Sequence, residues 1–168
     1  MNRIIQGDCL NVLPTLPKAC ARLLYLDPPF NTGSSQRRTT TTVTAVEEDA
    51  AGDRHGFGGR RYRSTPGDEH AYDDDFDDFI GFLLSRIEAA MPCLTDDASI
   101  FVHLDWREVH YAKVALDQLL GRDHFMNEII WAYDFGGRSK KRWPTKHDSI
   151  LWYVRDRKHY IFDYDAMD

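Results

Sequence analysis

Apolar residues along this chain fall into short blocks, and the blocks alternate between two periods. Leu23-Leu24-Tyr25-Leu26 is an unbroken apolar run of strand length, the pattern of a strand covered on both faces. Residues 99–104 form a second run of this type, and residues 128–133 and 149–154 read as two more strands. Residues 3–6 read as a short strand closed by Gly7-Asp8. Helical spacing fills the intervals. Leu10, Leu13 and Leu16 mark a short helix limited by Pro14 and Pro17. Phe76, Phe79, Ile80, Leu83, Ile87 and Met91 mark a longer one that stops at Pro92. Asp105 with Glu108 resembles a capping box, Val109, Ala112, Leu116, Leu119 and Leu120 give an inner stripe, and Gly121 ends that helix. Strands alternating with helices predict a parallel, doubly wound α/β sheet, whose ligand crevice lies at the carboxyl ends of the strands. Asp8, Asp27 and His103 sit at or near such ends.

One segment breaks the pattern. Residues 34–72 hold a threonine tract, an acidic run and a glycine-arginine stretch, with no apolar period. They are expected to form a long mobile loop inside a single domain.

Composition narrows the functional classes. The chain has 168 residues, a length suited to one domain. Its net charge is −6, so any nucleic-acid contact must come from local basic patches. One such patch is Arg138, Lys140, Lys141, Arg142 and Lys146, with Trp143 inside it, a mixture able to track phosphates and stack on bases. The same stretch also reads as an ordinary solvated loop, and Arg60, Arg61 and Arg63 offer further positive charge. Cys9, Cys20 and Cys93 are odd in number and lack metal spacing, which points to reduced thiols in a cytoplasmic protein. No metal centre is expected. There is no signal-peptide core and no apolar run of membrane-spanning length.

The most specific chemistry lies in Asp27-Pro28-Pro29-Phe30, directly after the first apolar run. Two prolines pre-shape the turn and remove its N–H donors, and an ionised Asp27 only accepts. Two acceptors side by side match the two hydrogens of an exocyclic amine. Phe30 can cover the face of the same ring. A nucleobase held this way has left its duplex.

Gly7-Asp8-Cys9-Leu10 and Asp27-Pro28-Pro29-Phe30-Asn31-Thr32-Gly33 together resemble the DNA amino-methyltransferases of the N6-adenine and N4-cytosine family. His103-Leu104-Asp105-Trp106, Asn127-Glu128-Ile129-Ile130-Trp131 and Lys146-His147-Asp148 resemble it too. The motif order is similar to the β-type permutation. The resemblance implies a Rossmann-like fold and methyl transfer from S-adenosyl-L-methionine to a flipped base in double-stranded DNA. An acidic residue before the prolines is more usual for adenine. It implies catalytic roles for Asp27, Pro28, Pro29 and Phe30, and cofactor roles for Asp8 and Cys9. Bottom-up, Asp8 also reads as a helix N-cap and His103 as a structural histidine.

The family's glycine-rich cofactor turn has no full counterpart. Phe57-Gly58-Gly59 and Phe135-Gly136-Gly137 hold the letters without the spacing. The chain is therefore expected to be an incomplete catalytic domain that binds the cofactor weakly or not at all: a fragment, the product of a truncated gene, or one half of a split enzyme with a complementing C-terminal polypeptide. The alternative is a non-catalytic remnant that binds DNA or a partner. A methyltransferase acting on RNA or a protein amide would use a similar turn.

Overall fold

The computed structural model describes residues 3–46, 54–55, 60–72, 74–134, 136 and 139–166. The chain divides into two compact units, Met1–Thr32 with Asp77–Asp168, and Gly33–Phe76.

The first unit is built on a four-stranded sheet. Its strands are β1 (Ala21–Leu26), β5 (Leu94–Leu104), β6 (Phe125–Ala132) and β7 (His147–Val154), in the spatial order β1-β5-β7-β6. β1 and β5 run parallel, with Leu26 opposite Val102. β7 runs antiparallel to both β5 and β6. The sheet is therefore mixed, where the alternation of elements predicts a wholly parallel one. The reason is local. β6 and β7 are joined by residues 133–146, whose described residues hold no helix, and neighbouring strands joined by a short connection pair antiparallel.

Helices α2 (Phe79–Ala90) and α3 (Val109–Leu116) cover one face. Phe79, Leu83, Ile87 and Ala90 of α2, and Val109, Ala112 and Leu116 of α3, are buried with Ile100, Val102, Leu104, Leu151 and Tyr153 of the sheet. Asp78 caps α2 by accepting from the Gly81 amide at 2.8 Å. The expected capping box before α3 is not formed as drawn. Asp105 accepts from the Arg107 amide at 2.9 Å, and Glu108 turns instead to Asn31. α3 continues as a wider turn over Asp117–Gly121 and ends at Gly121, whose φ of 92° suits glycine. The first helix is shorter than its spacing suggests: α1 (Cys9–Val12) passes into a tighter turn over Leu13–Thr15 at Pro14.

Two strand expectations are corrected. Residues 3–6 form no strand, and Ile4 is fully exposed. No described strand lies beside them, and two isoleucines without a ladder do not hold an extended chain. β1 is not covered on both faces either: Leu23 and Tyr25 are 58% and 50% exposed. Among the described residues β1 is an edge strand with β5 as its neighbour.

The second unit also departs from expectation. In place of a structureless loop, β2 (Gln36–Ala45) and β4 (Arg61–Tyr72) form a long antiparallel ribbon, extended by β3 (Arg54–His55). The threonine tract lies inside β2. β-branched residues favour strands without any buried face, so an apolar period is the wrong signal for such a ribbon. Residues 56–59, with the first glycine-rich candidate, lie outside the described residues.

Candidate nucleobase site

The proline turn leaves β1 at Leu26, where the parallel ladder to β5 ends. Its exit is fixed by Asn31, which holds a left-handed φ of 54° and donates from Nδ2 to Glu108 Oε1 at 2.7 Å. The turn is thus tied to the start of α3. The Asp27 side chain is 62% exposed, an available acceptor at the strand end.

His103 meets this turn from β5. Its ring centroid lies 5.6 Å from that of Phe30. Its Nδ1 lies 3.0 Å from the Tyr25 hydroxyl and 3.9 Å from Asp27 Oδ1. Its Nε2 lies 3.3 Å from Asp148 Oδ2 on β7. Asp148 Oδ1 accepts from the Tyr133 hydroxyl at 3.4 Å. Burial, then the Asp27 charge, push the Tyr25 phenol above its ordinary pKa. Burial, then Asp148, do the same for Tyr133. Both hydroxyls therefore stay protonated donors through the neutral range. The sequence alone points to Asp27 and Phe30 here, makes His103 structural, and gives no role to Tyr25, Tyr133 or Asp148. Strand alternation is the usable signal: His103 must face opposite Val102 and Leu104, on the side away from the helices.

The basic stretch lies next to this cluster. Tyr133 lines an open basin of about 930 Å³ with Ser139, Lys140, Arg142, Trp143 and Lys146. Ser139 Oγ accepts from the Lys141 and Arg142 amides at 3.2 and 3.3 Å and shapes the turn. Trp143 is 93% exposed. The Arg142 guanidinium lies 5.7 Å from the Trp106 ring, just past β5. Lys146 behaves differently, because its ammonium donates to the Asp134 carbonyl at 2.7 Å and secures the loop. Arg138, Phe135 and Gly137 lie outside the described residues.

The residues assigned to the cofactor form no comparable cluster. Asp8 caps α1, with Oδ1 accepting from the Leu10 amide at 2.9 Å, and its Oδ2 lies 3.4 Å from Arg86. Cys9 is half-buried at the first position of that helix. Both Asp8 oxygens are engaged, and no glycine-rich turn stands among the described residues. The Asp8 side chain stays 47% exposed and keeps acceptor capacity for a further donor such as a cofactor amine. Among the described residues, no group of acidic, histidine or cysteine side chains is arranged to hold a metal. No described helix is long and apolar enough to cross a membrane.

Comparison with known proteins gives the family. The profile of the DNA methylase family of N6/N4 type matches residues 21–168. The chain belongs to that family. It is 29% identical over 143 residues to the probable type III restriction-modification enzyme HindVI Mod subunit of Haemophilus influenzae, covering 82% of this chain and 15% of that protein. It is 24% identical over 165 residues to the DNA adenine methyltransferase YhdJ of Escherichia coli, covering 98% of this chain and 45% of that protein. Among solved structures it is similar to the PvuII cytosine-N4-specific DNA methyltransferase, with a TM-score of 0.51 and 12% identity, over 89% of this chain and 48% of the other. That likeness shows the methyltransferase fold. The methylase chain therefore spans less than half the length of each of these proteins.

Proposed function

We propose that the chain is the base-holding part of a DNA amino-methyltransferase that acts on adenine N6. The observation that carries this reading is the exposed Asp27 carboxylate beside a Phe30 ring that contacts His103. An extruded adenine would place its amine between Asp27 and the Pro28 carbonyl, with its ring under Phe30. Those acceptors would draw the amine hydrogens out of the ring plane and free the nitrogen lone pair, a contribution of orientation and electrostatics. Lys140, Lys141, Arg142 and Trp143 would take the DNA backbone. Adenine is supported by the acid before the prolines and by the name of YhdJ.

S-adenosyl-L-methionine supplies the methyl group in this family, and the half-exposed Asp8 carboxylate would accept from its adenine amine, with Cys9 lining that pocket. The protein would work in the cytoplasm, where its thiols stay reduced. A second reading is a remnant that binds DNA or a partner through the exposed Lys140, Lys141, Arg142 and Trp143 without transferring methyl groups.

The test measures transfer of labelled methyl to duplex DNA, RNA and protein. It uses the chain alone and the chain mixed with a polypeptide bearing a relative's glycine-rich turn. N6-methyladenine from duplex DNA, strongly reduced in Asp27→Ala, supports the first reading. DNA binding without transfer in either preparation supports the remnant. Preferred transfer to RNA or protein rejects both.

A further inference from the structure

We propose that Asp148 and His103 act together as a positioning pair that keeps the Asp27 carboxylate free for the incoming amine. The proposal rests on the proline turn being the base site. An ionised carboxylate only accepts, so the 3.3 Å contact to Asp148 Oδ2 places the imidazole proton on Nε2. Nδ1 is then an acceptor, and the Tyr25 hydroxyl donates to it at 3.0 Å. Asp27 Oδ1 faces the same nitrogen at 3.9 Å with no proton between them. Two acceptors cannot bond, so Asp27 keeps its lone pairs outward.

The opposite tautomer would undo this. A proton on Nδ1 would turn the Tyr25 hydroxyl at 3.0 Å into an acceptor and leave Asp27 Oδ1, at 3.9 Å, facing a donor that its charge attracts more strongly than a phenol does. The carboxylate would turn to the imidazole and lose the geometry that the amine needs. The same ring meets Phe30 at 5.6 Å, so one side chain governs both the acceptor and the lid. His103 and Asp148 touch no part of the base in this arrangement, and their role is exerted through Asp27 and Phe30.

The experiment uses the 168-residue chain and needs no methyl donor. Long-range nitrogen NMR reads the His103 tautomer in the wild type and in Asp148→Ala. A short single strand of adenines labelled with ¹⁵N at N6 reports the amine, which shifts when it bonds to a carboxylate. The expected result is an Nε2–H tautomer and a shifted amine in the wild type. Asp148→Ala is expected to move the proton to Nδ1 and weaken strand binding by ~10-fold, the scale of one charge-assisted hydrogen bond. His103→Gln, which can still donate to Asp148 and accept from Tyr25, is expected to retain the amine shift, and His103→Ala to lose it. Melting curves confirm that each variant is folded. An Nδ1–H tautomer in the wild type, or an unchanged amine shift in Asp148→Ala, overturns the proposal. A labelled amine that shifts with no variant and not with the wild type removes the base site itself. That failure is recognised by an Nε2–H tautomer that still responds to Asp148→Ala.

Discussion

Removing one hydroxyl from the core should destabilise the first unit in a pH-dependent way. Tyr153 is fully buried on β7 and its hydroxyl donates to Asp117 Oδ1 at 2.7 Å. Lys113 donates to both Asp117 oxygens at 2.7 Å. Burial alone would raise the Asp117 pKa, but the Lys113 and Tyr153 hydrogen bonds and the lysine charge outweigh it and hold the carboxyl below its ordinary 3.8. Burial, then Asp117, push the Tyr153 phenol far up, so it remains a donor. Tyr153→Phe keeps the ring and its packing against Phe125, at 5.2 Å, and deletes only the donor. A hydrogen bond to a charged group is worth about 1.5–3 kcal/mol. The lower end applies, since Asp117 is 20% exposed and keeps its lysine. A loss of about 1.5 kcal/mol lowers Tm by roughly 3–6 °C in a chain of this size. Asp117 has its folded pKa below its unfolded one. Its stabilisation is therefore present above pH 3.8 and is lost as pH falls through the folded pKa. The variant, with a less depressed carboxyl, loses its share at higher pH, and the gap to wild type closes in strong acid. Thermal melts by circular dichroism from pH 7 to pH 2 measure this. Equal Tm values at pH 7, or a gap that persists unchanged into acid, would refute the reasoning.

Four further outcomes are expected. In a transferring preparation, Asp27→Ala lowers kcat on the order of 10²–10³-fold, and Asp27→Asn, which keeps one acceptor, loses less; steady-state kinetics on DNA decide it. Replacing Lys140, Lys141 and Arg142 by alanine reduces the slope of log K against log salt by roughly 0.9 for each phosphate no longer neutralised, read from DNA titrations. Ile87→Ala, at a site with no exposure, costs about 2–5 kcal/mol in urea unfolding. Cys20, which is exposed, reacts with a thiol reagent in the native protein. Cys93 reacts only on unfolding, because burial, then the neighbouring Cys20, raise its pKa.

Much of the first unit is legible in the sequence because its signals are local. Phe79, Leu83 and Ile87 of the α2 stripe and Val109, Ala112 and Leu116 of the α3 stripe are buried, while Ile80, Met91, Leu119 and Leu120 are only half-buried, and the runs at 23–26, 99–104 and 149–154 lie in β1, β5 and β7. Strand direction is not legible, since apolar runs look the same in parallel and antiparallel pairs. Nor is the ribbon of β2 and β4. Its stability comes from backbone pairing and β-branched side chains, which leave no stripe. Asp8 carries two meanings in sequence that can coexist, and the contact to Leu10 shows the cap.

The site itself is a consequence of register. Leu26 pairs with Val102, which brings position 27 beside position 103. His103 pairs with Ile150 on the other side, so Asp148 lies two residues along the neighbouring strand. A slip of β5 by one residue would send His103 to the helix face, away from Asp27 and Asp148. Val102 and Leu104, both fully buried between α2, α3 and the sheet, hold that register. The core residues beneath the sheet thus set the chemistry above it. On the open face, Tyr25, Phe101, Trp152 and Phe162 follow one another at centroid spacings of 6.5, 5.7 and 5.7 Å. Tyr25 ends this row and its hydroxyl lies 3.0 Å from His103 Nδ1, so packing on that face reaches the histidine beside Asp27 through a single phenol. A change anywhere along the row that displaces Tyr25 should reach the proline turn without touching it.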